Sequence, residues 1–334
     1  MRNALFIVFF FILIVGFVPQ LAIAQSDFNV NRIGQSLSFK TVPKSPKAFE
    51  EVSITMASSA FDLNGATITW SVDGERVSAE RGKKTLSFTT GALGTESRVS
   101  VEVASLTGEI IRRDLFFTPS DVALLWEADT YTPPFYNGKA LFSNQSGLTI
   151  VAVPEFIMRD GRRLDANTLI YTWKEDGKIR GSLSGYGQRT FRVTGSVLGR
   201  KIKISVFVTT QDGRMQAEEV ITITPSEPVV AIYENSPLYG VLYNKALGDA
   251  FSMGNKETSF TAVPYFFSRG LQAQELEFNW SVNGTPAGNK QSDSITLRND
   301  EGNAGQSRLG LEVLNTGNSF QRALKNISIL FNSQ

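Results

Sequence analysis

Two residue types are missing from this chain of 334 residues, which contains neither cysteine nor histidine. Without cysteine there are no disulfides, no thiol nucleophiles and no thiolate metal sites. Without histidine the chain lacks the proton carrier of Ser-His-Asp and Cys-His catalysis and the usual nitrogen ligand of zinc. We therefore weigh only carboxylates as catalytic groups.

The sequence also has little net charge. It carries 33 basic and 32 acidic residues, a formal net charge of +1, and no run of one sign. Domains that bind nucleic acid concentrate basic residues in a patch or stripe. The balanced charge therefore excludes nucleic acid as an expected partner.

After the N-terminus no long segment has helical periodicity, whereas one short strand motif occurs three times. Each copy alternates apolar and polar residues around a tryptophan and places Asp-Gly or Asn-Gly three residues later. The alternation predicts a strand with one buried face, and the pair predicts a type I′ hairpin turn, in which both residues have positive φ. The predicted core anchors are Trp70, Trp173 and Trp280, and the predicted turns are Asp73-Gly74, Asp176-Gly177 and Asn283-Gly284.

The repeated motif also sets the number of domains. Tryptophans roughly 100 residues apart match the size of one β-sandwich domain, and further alternating segments follow each of them in the same order. The predicted fold class is all-β, with three tandem antiparallel β-sandwich domains over residues 35–118, 119–225 and 226–334. Residues 25–34 form a polar lead-in.

Residues 1–24 have the features of a secretory signal peptide. Arg2 gives a positive start, residues 4–18 are apolar, and small residues precede Gln25. This pattern predicts cleavage before Gln25 and export to the periplasm, the cell surface or the medium. The alternative is an uncleaved N-terminal anchor helix in the membrane, because an apolar stretch of about 20 residues spans a bilayer.

The second and third predicted domains each carry an extra leader that the first lacks. Both leaders are rich in proline and aromatic residues, which suits an interrupted edge strand that changes sheets. The aromatic side chains either form a contact surface for a protein or glycan or pack at the joints between domains. The residues concerned are Trp126, Tyr131, Phe135, Tyr136, Tyr239 and Tyr243.

The strand and turn at Trp70, Trp173 and Trp280 resemble those of bacterial PKD-type and related Ig-like repeats of the cell surface. The first domain is the most similar, and the other two resemble repeats of uncharacterised exported proteins. The chain departs from the PKD pattern because Gly-Asp-Gly does not follow the tryptophan strand, and from antibody domains because the cysteine pair is absent. The resemblance implies an Ig-like or PKD-like sandwich held by packing alone, and it implies no activity.

Few residues are candidates for catalysis or metal binding. Glu50-Glu51 and Glu218-Glu219 are adjacent acidic pairs, but neighbours on a strand point to opposite faces, so we interpret them as solvated surface charges. Loops such as the one at Asp62 offer one or two oxygen ligands, whereas calcium takes about six to eight. We predict no catalytic residue and no cofactor, with calcium between domains as an alternative.

These features predict a non-enzymatic exported protein that acts as a structural or adhesive element of the cell surface or envelope. Only Thr-Pro-Ser links the last strand of one domain to the next, which favours a semi-rigid rod. The predicted partners are proteins or glycans of the envelope. The alternatives are a carbohydrate-binding accessory module, a subunit of a pilus or secretion apparatus, and a carboxylate-based hydrolase.

Overall fold

The computed structural model describes residues 37–59, 62–106, 108–269, 276–300, 303–318 and 320–331. The predicted signal peptide, or anchor helix, and the lead-in lie outside these residues. Regular structure in the described part is almost all β-strand, with single-turn 3-10 helices at Ala166–Thr168 and Gly181–Leu183. No helix in this part has the length and apolar character needed to cross a membrane. The all-β fold class is therefore confirmed.

The first domain is a two-sheet sandwich. Its strands are β1 (Leu37–Val42), β2 (Glu51–Ser58), β3 (Thr67–Val72), β4 (Glu75–Arg81), β5 (Thr85–Thr89), β6 (Ser97–Ala104) and β7 (Ile110–Phe117). Strands β1, β2 and β5 form the first sheet, and β4, β3, β6 and β7 form the second. The alternating apolar residues of β2 and β6 are buried between the sheets, as a half-exposed strand requires.

The second domain repeats this arrangement. Its strands are β8 (Asp121–Asp129), β9 (Gly147–Glu155), β10 (Ile170–Glu175), β11 (Lys178–Ile179), β12 (Gly185–Tyr186), β13 (Thr190–Thr194), β14 (Ile202–Thr209) and β15 (Gln216–Ile223). The first sheet has the order β8, β9, β13, and the second has the order β11, β10, β14, β15, with β12 also paired to β10. All pairings between these strands are antiparallel.

The third domain has the same two sheets with additions. Its strands are β16 (Val229–Ser236), β17 (Gly240–Val241), β18 (Ala250–Met253), β19 (Glu257–Tyr265), β20 (Leu276–Val282), β21 (Thr285–Pro286), β22 (Ser294–Arg298), β23 (Gly305–Asn315) and β24 (Arg322–Phe331). The first sheet has the order β17, β16, β19, β22. The second has the order β18, β24, β23, β20, β21.

The leader of the third domain changes sheets. Strand β16 lies in the first sheet, whereas β18 pairs in parallel with β24 in the second sheet. In the second domain the same crossing is reduced to one parallel bridge between Ser143 and Ser226. The switch protects the edge of β24, because an unpaired outer strand is open to pairing with another chain.

The three tryptophans occupy equivalent places in the three cores. Trp70, Trp173 and Trp280 are buried, and each indole N–H donates to a backbone carbonyl of the segment before the last strand of the first sheet. The acceptors are the carbonyls of Lys83 at 2.9 Å, Gln188 at 2.7 Å and Ser292 at 3.1 Å. A buried tryptophan therefore contributes its full apolar area without leaving its N–H unsatisfied.

The hairpin turn after each tryptophan strand is also tied to a neighbouring strand. Both turn residues have positive φ, for example 51° at Asp73 and 89° at Gly74, which is the type I′ geometry. The side chains of Asp73, Asp176 and Asn283 accept hydrogen bonds from the backbone N–H groups of Arg98, Lys203 and Arg308. The turn thus holds the start of β6, β14 or β23, which the pattern of turn residues alone did not predict.

Candidate functional site

Most of the predicted aromatic residues meet at the joint between the second and third domains. We call residues 131–141, which leave the end of β8, the second leader. Side chains of this leader pack on the outer face of the first sheet of the third domain. Tyr131, Phe135, Tyr136 and Tyr243 lie at this joint, whereas Trp126 and Tyr239 lie elsewhere.

Backbone hydrogen bonds connect the two domains at Tyr131. Its N–H donates to the carbonyl of Phe267, and its carbonyl accepts from the N–H of Phe266, both at 2.7 Å. Thr130 and Ser268 form an antiparallel bridge in the same place. The joint therefore includes a short stretch of sheet pairing, which fixes the register of one domain against the other.

The rings at the joint are arranged in pairs. Phe135 stacks on Tyr243, with ring centroids 4.3 Å apart and ring planes at 29°. Tyr136 meets the rings of Tyr265 and Phe266 edge-on, each at 5.7 Å. Such pairs contribute about 0.5–1.5 kcal/mol each beyond the area they bury, so the cluster stabilises this orientation of the domains.

A pair of tyrosine hydroxyls lies under the leader. The hydroxyl oxygens of Tyr233 and Tyr265 are 2.9 Å apart and share a hydrogen bond. Burial, followed by this hydrogen bond, raises the pKa of Tyr265 well above its ordinary value. Ionising the phenol would place a charge in an apolar site, so the neutral form is favoured in the folded chain.

The burial of β19 shows how the leader changes the third domain. A surface strand normally buries alternate residues, yet the four residues from Phe260 to Val263 are all buried. Phe260 and Ala262 belong to the core of the domain. Val263 and Tyr265 belong to a separate cluster that Tyr136 and Leu141 of the leader complete. This cluster is a small hydrophobic core between two domains.

Gln321 adds a buried polar contact to the joint. Its side-chain carbonyl accepts from the backbone N–H of Ser268 at 2.8 Å and from Asn315 Nδ2 at 2.9 Å. Its amide nitrogen donates to Ser143 Oγ at 3.1 Å and to the carbonyl of Asn144 at 2.6 Å. Because Gln321 is completely buried, all four bonds are made without competition from water.

Tyr239 lies on an exposed hairpin tip between β16 and β17. We call residues 237–239 the third-domain tip; Leu238 is 85% exposed and Tyr239 is 80% exposed. Ser236 Oγ accepts from the N–H groups of both residues, at 3.3 and 3.4 Å, and Gly240 closes the turn with a φ of 71°. The tip therefore holds two apolar side chains in water on a defined turn.

Trp126 is not part of the joint. It lies on β8, where alternation turns its ring toward the second-domain core, and it packs there partly buried. The ammonium nitrogen of Lys139 sits 3.3 Å from the ring centroid, and burial lowers the pKa of this lysine. Trp126 is thus covered in part by its own chain.

The joint between the first and second domains combines one backbone bridge, between Thr118 and Met215, with ion pairs in place of an aromatic cluster. Lys47 Nζ lies 3.1 Å from Asp121 Oδ1 and 2.8 Å from Glu219 Oε2, and the hydrogen bond to Glu219 raises the pKa of this lysine. Arg159 forms a second ion pair with Glu96. Lys47 therefore supplies the positive charge between Asp121 and Glu219 at this joint.

The predicted calcium alternative has no assembled ligand set in the described part of the chain. There, no three acidic side chains come close enough together to hold a metal ion. Three of the carboxylates that sequence patterns singled out have partners within the protein: Glu50 accepts from the backbone N–H of Lys47, Asp62 accepts from the backbone N–H of Asn64, and Glu219 pairs with Lys47. Turn formation and ion pairing account for these groups.

Comparison with known proteins gives similarity to tandem β-sandwich proteins. No family model and no curated protein sequence matches the chain. The three N-terminal domains of the bacteriophage RB49 outer capsid protein Hoc are 11% identical, with 90% of this chain and 99% of that chain covered and a TM-score of 0.26. The central fibronectin-III array of RIM-binding protein is 11% identical over 89% and 96%, with a TM-score of 0.31.

A third similar structure is the Bacteroides ovatus protein SGBP-B in complex with a mixed-linkage heptasaccharide, which is 12% identical over 88% of this chain and 70% of that chain, with a TM-score of 0.20. The chain is a tandem array of Ig-like sandwiches. That assignment rests on the strand order of its own sheets.

Tyr265 and Gln321 are among the joint residues that were not predicted from the sequence. Tyr265 had a usable signal, because the matching segments Val153 to Phe156 and Val263 to Phe266 differ by a glutamate in the second domain and a tyrosine in the third. An aromatic in place of a surface carboxylate indicates a covered face. Gln321 had no such signal, since nothing in its neighbourhood marks it as buried.

Proposed function

We propose that this chain is an exported, non-enzymatic structural or adhesive protein that holds a binding surface at a fixed position on the cell surface or in the envelope. Its partners are proteins or glycans of that compartment. The observation that carries this proposal is the joint between the second and third domains, which combines backbone pairing, a buried aromatic cluster and the buried Gln321.

A fixed joint favours a spacing role because tandem domains otherwise move relative to one another. Interfaces within a chain usually resemble transient contacts, and mobility is the default unless the interface is substantial and apolar. Here the second leader and the first sheet of the third domain share one hydrophobic cluster. Such a pair of domains resists bending, as a spacer requires.

Export is the part of the proposal that rests on the sequence alone. Residues 1–24 combine a positive start, an apolar run and small residues before Gln25, the features of a signal peptide. Retention of this segment as an anchor would keep the array at the membrane, and cleavage would release it. A PKD-type relationship of the domains is also proposed, from the strand and turn at Trp70, Trp173 and Trp280.

The exposed apolar groups favour a protein as the first partner to seek. A carbohydrate-binding surface presents coplanar aromatic faces to solvent, whereas Phe135 and Tyr243, which are 36% and 46% exposed, stack on each other and so use one ring face each. Leu238 and Tyr239 instead project together from a tip, an arrangement suited to inserting into a pocket of a protein partner. Glycans remain the second class to test.

The test is fractionation of cells that make the native chain, followed by crosslinking and mass spectrometry. We expect the chain in the envelope or at the surface, beginning at Gln25, crosslinked to a defined partner. Crosslinks to a pilus or secretion complex would make it a subunit of that apparatus. A cytoplasmic chain that retains its first residues would overturn the proposal, and release as a free chain would direct the search to soluble glycans.

A further inference from the structure

A cleft opens on one side of the joint between the first and second domains. Its volume is about 750 Å³, which is within the range of small-molecule sites in proteins. The first domain contributes the loop at Gly94 and Glu96. The second contributes the turn at residues 157–159, the hairpin turn at residues 210–215 and the ring of Tyr186. A ligand in this cleft, which we call the first-joint cleft, would therefore contact both domains.

The two walls of the cleft touch at Gly94. This residue has a φ of 79°, and a Cβ added to it would lie 2.7 Å from the carbonyl oxygen of Ile157 in the second domain. Its N–H also donates to the carbonyl of Pro119, at the start of the second domain, at 3.3 Å. Only glycine fits this contact, because a side chain would push the walls apart. The shape of the cleft therefore depends on how closely the two domains approach each other.

The charged side chains that line the cleft are paired with one another. Arg159 of the second domain pairs with Glu96 of the first, and Arg214 Nε lies 3.6 Å from Asp212 Oδ2. The hydroxyl of Thr210 and the backbone N–H of Arg214 also donate to Asp212, and these hydrogen bonds lower the pKa of its carboxyl. The two cations balance the two anions, so the described lining favours an uncharged ligand.

The same groups suit a ligand that is rich in hydroxyls. A hydroxyl both donates and accepts, and each ion pair offers guanidinium N–H donors beside carboxylate acceptors. The exposed side chains of Thr168 and Gln211 add further polar groups. Tyr186, which is 55% exposed, offers an aromatic ring to the apolar C–H face of a sugar. Polar pairs beside one open ring match a sugar, which has hydroxyl edges and C–H faces.

An extended peptide suits the cleft less well. Peptides that add to a sheet use unpaired backbone groups on a strand edge. Two turns that line this cleft use such groups internally. The N–H of Met158 donates to the carbonyl of Arg162, and the N–H of Thr210 donates to that of Met215. Recognition at these turns therefore depends on side chains, as binding of a sugar does.

We propose that the first-joint cleft binds a neutral oligosaccharide and that the bound sugar fixes the angle between the first and second domains. A ligand that contacts both walls binds best when the walls are correctly placed, so it shifts the population of the joint toward that arrangement. The cleft is separate from the third-domain tip. This inference rests on the function proposed above only for the source of the sugar, because binding by the purified chain does not require export.

Binding of the purified full chain to an oligosaccharide array is the first test. The array carries neutral oligosaccharides of glucose, xylose, mannose, galactose and N-acetylglucosamine, and acidic ones of uronic acids. We expect binding to neutral members, and titration calorimetry then measures the affinity. Tyr186→Ala should weaken binding by about tenfold, because it removes the ring that packs on the sugar. Tyr239→Ala is the matched control, since it removes an exposed ring far from the cleft, and it should bind as the wild type does.

Gly94→Ala tests whether the site is shared between domains. It removes no side chain from the cleft, yet its Cβ should separate the walls and weaken binding. Gly108→Ala is the control, because Gly108 has a similar φ of 81° with nothing within 4 Å of an added Cβ. Distances between spin labels on the first and second domains should narrow when the sugar binds to the wild type or to Gly108→Ala, but not to Gly94→Ala. Circular dichroism and thermal melting establish that each variant is folded.

Several results would overturn the proposal. Binding to no neutral oligosaccharide, or to acidic ones alone, excludes the proposed ligand. Equal affinity of Tyr186→Ala and Tyr239→Ala places the sugar outside the cleft. Equal affinity of Gly94→Ala and Gly108→Ala, or label distances that do not narrow on binding, shows that the sugar does not bridge the two domains. A cytoplasmic location of the native chain would instead overturn the function proposed above and leave these binding results unchanged.

Discussion

The two joints of this chain are built from different interactions. At the first joint Lys47 bridges Asp121 and Glu219, and each of these side chains is about one-third to one-half exposed. At the second joint the contacts are backbone pairing at Tyr131, an aromatic cluster and the buried Gln321. Solvated ion pairs contribute about 0–1 kcal/mol and weaken with salt. Buried apolar contacts are not weakened by the screening of charge.

This difference indicates where the array is fixed and where it bends. The second and third domains share a hydrophobic cluster, so separating them exposes apolar area and breaks the hydrogen bonds of Gln321 to Ser143 and Asn144. Separating the first domain from the second breaks the bridge between Thr118 and Met215 and solvates ion pairs that are already partly exposed, which costs less. The mechanical unit is therefore the pair formed by the second and third domains, with the first domain attached through a joint that responds to salt.

The largest expected effect comes from emptying the aromatic cluster. Tyr265→Ala should lower the free energy of unfolding of the third domain by about 3–5 kcal/mol, the usual cost of removing a buried aromatic ring. Urea unfolding followed by tryptophan fluorescence measures the loss. Tyr186→Ala is the control, because that ring is exposed, and it should change stability by less than about 0.5 kcal/mol. A loss below about 1 kcal/mol for Tyr265→Ala would mean that the joint has no real core.

Removing the buried amide should have the next largest effect. Gln321→Ala leaves the Ser268 N–H and the Asn144 carbonyl without their partner, and each orphaned buried group costs about 1–3 kcal/mol. We expect a total loss of about 2–4 kcal/mol in urea unfolding, with earlier exchange of the Ser268 amide proton. Gln211→Ala, at an exposed turn, is the matched control. Equal stability of Gln321→Ala and Gln211→Ala would show that the Gln321 side chain does not stabilise the joint.

Tyr171 and Tyr265 should make the second and third domains less stable at high pH. Burial raises the pKa of Tyr171 to about 12 and also raises that of Tyr265, from an ordinary value of 10.0. Because the folded pKa lies above the unfolded one, stability is complete below pH 10 and falls as the pH rises toward the folded pKa. The slope is about 1.4 kcal/mol per pH unit for each tyrosine.

Tyr265→Phe separates the two contributions. The variant should lose this slope in the third domain and keep it in the second, where Tyr171 donates to the Ala166 carbonyl. Urea unfolding at several pH values between about 8 and 12, with each domain followed separately by amide exchange, measures both. An unchanged slope in the third domain would show that Tyr265 ionises as freely as an exposed tyrosine.

The smallest effect on stability is expected at the first joint. Lys47→Ala removes both ion pairs, yet it should lower the free energy of unfolding by less than about 1 kcal/mol. Distances between spin labels placed across the first joint should broaden in this variant and in about 1 M salt, where the screening length falls to about 3 Å. Distances across the second joint should stay narrow. The exposed Lys40→Ala is the control, and broadening at both joints would erase the distinction between them.

Much of each sandwich could be read from alternation and turn chemistry. The strands around the tryptophans, the positive-φ turns and the later valine-rich and isoleucine-rich strands all follow from local patterns. Strand β8 shows the limit of that method. Val122, Leu124, Trp126 and Ala128 alternate on it, yet the sequence analysis allows Trp126 either a contact surface or a joint between domains, whereas the structure packs it against the core of its own domain. One alternating segment does not reveal which face has a sheet to pack against.

The joint residues could be predicted only in part. The leaders were marked by proline and aromatic residues, and packing between domains was one of two open interpretations. Phe135 and Tyr136 contact rings of the third domain, so only the position of that domain shows that they pack at the joint. Phe266 and Phe267 give a sharper case: Phe266 aligns with the core residue Phe156, but the structure puts Phe267 in the core and Phe266, with a φ of 63°, in the joint.

The sequence by itself determined the class of the fold, the repeating unit and the place of the tryptophans, because strand periodicity and turn formation depend on residues close together in the chain. Only the tertiary structure decided which aromatic rings are shared between domains, that Gln321 is buried, and that a cleft lies at the first joint. Those outcomes depend on how surfaces of separate domains meet, and residues far apart in sequence meet only through the packing of whole domains.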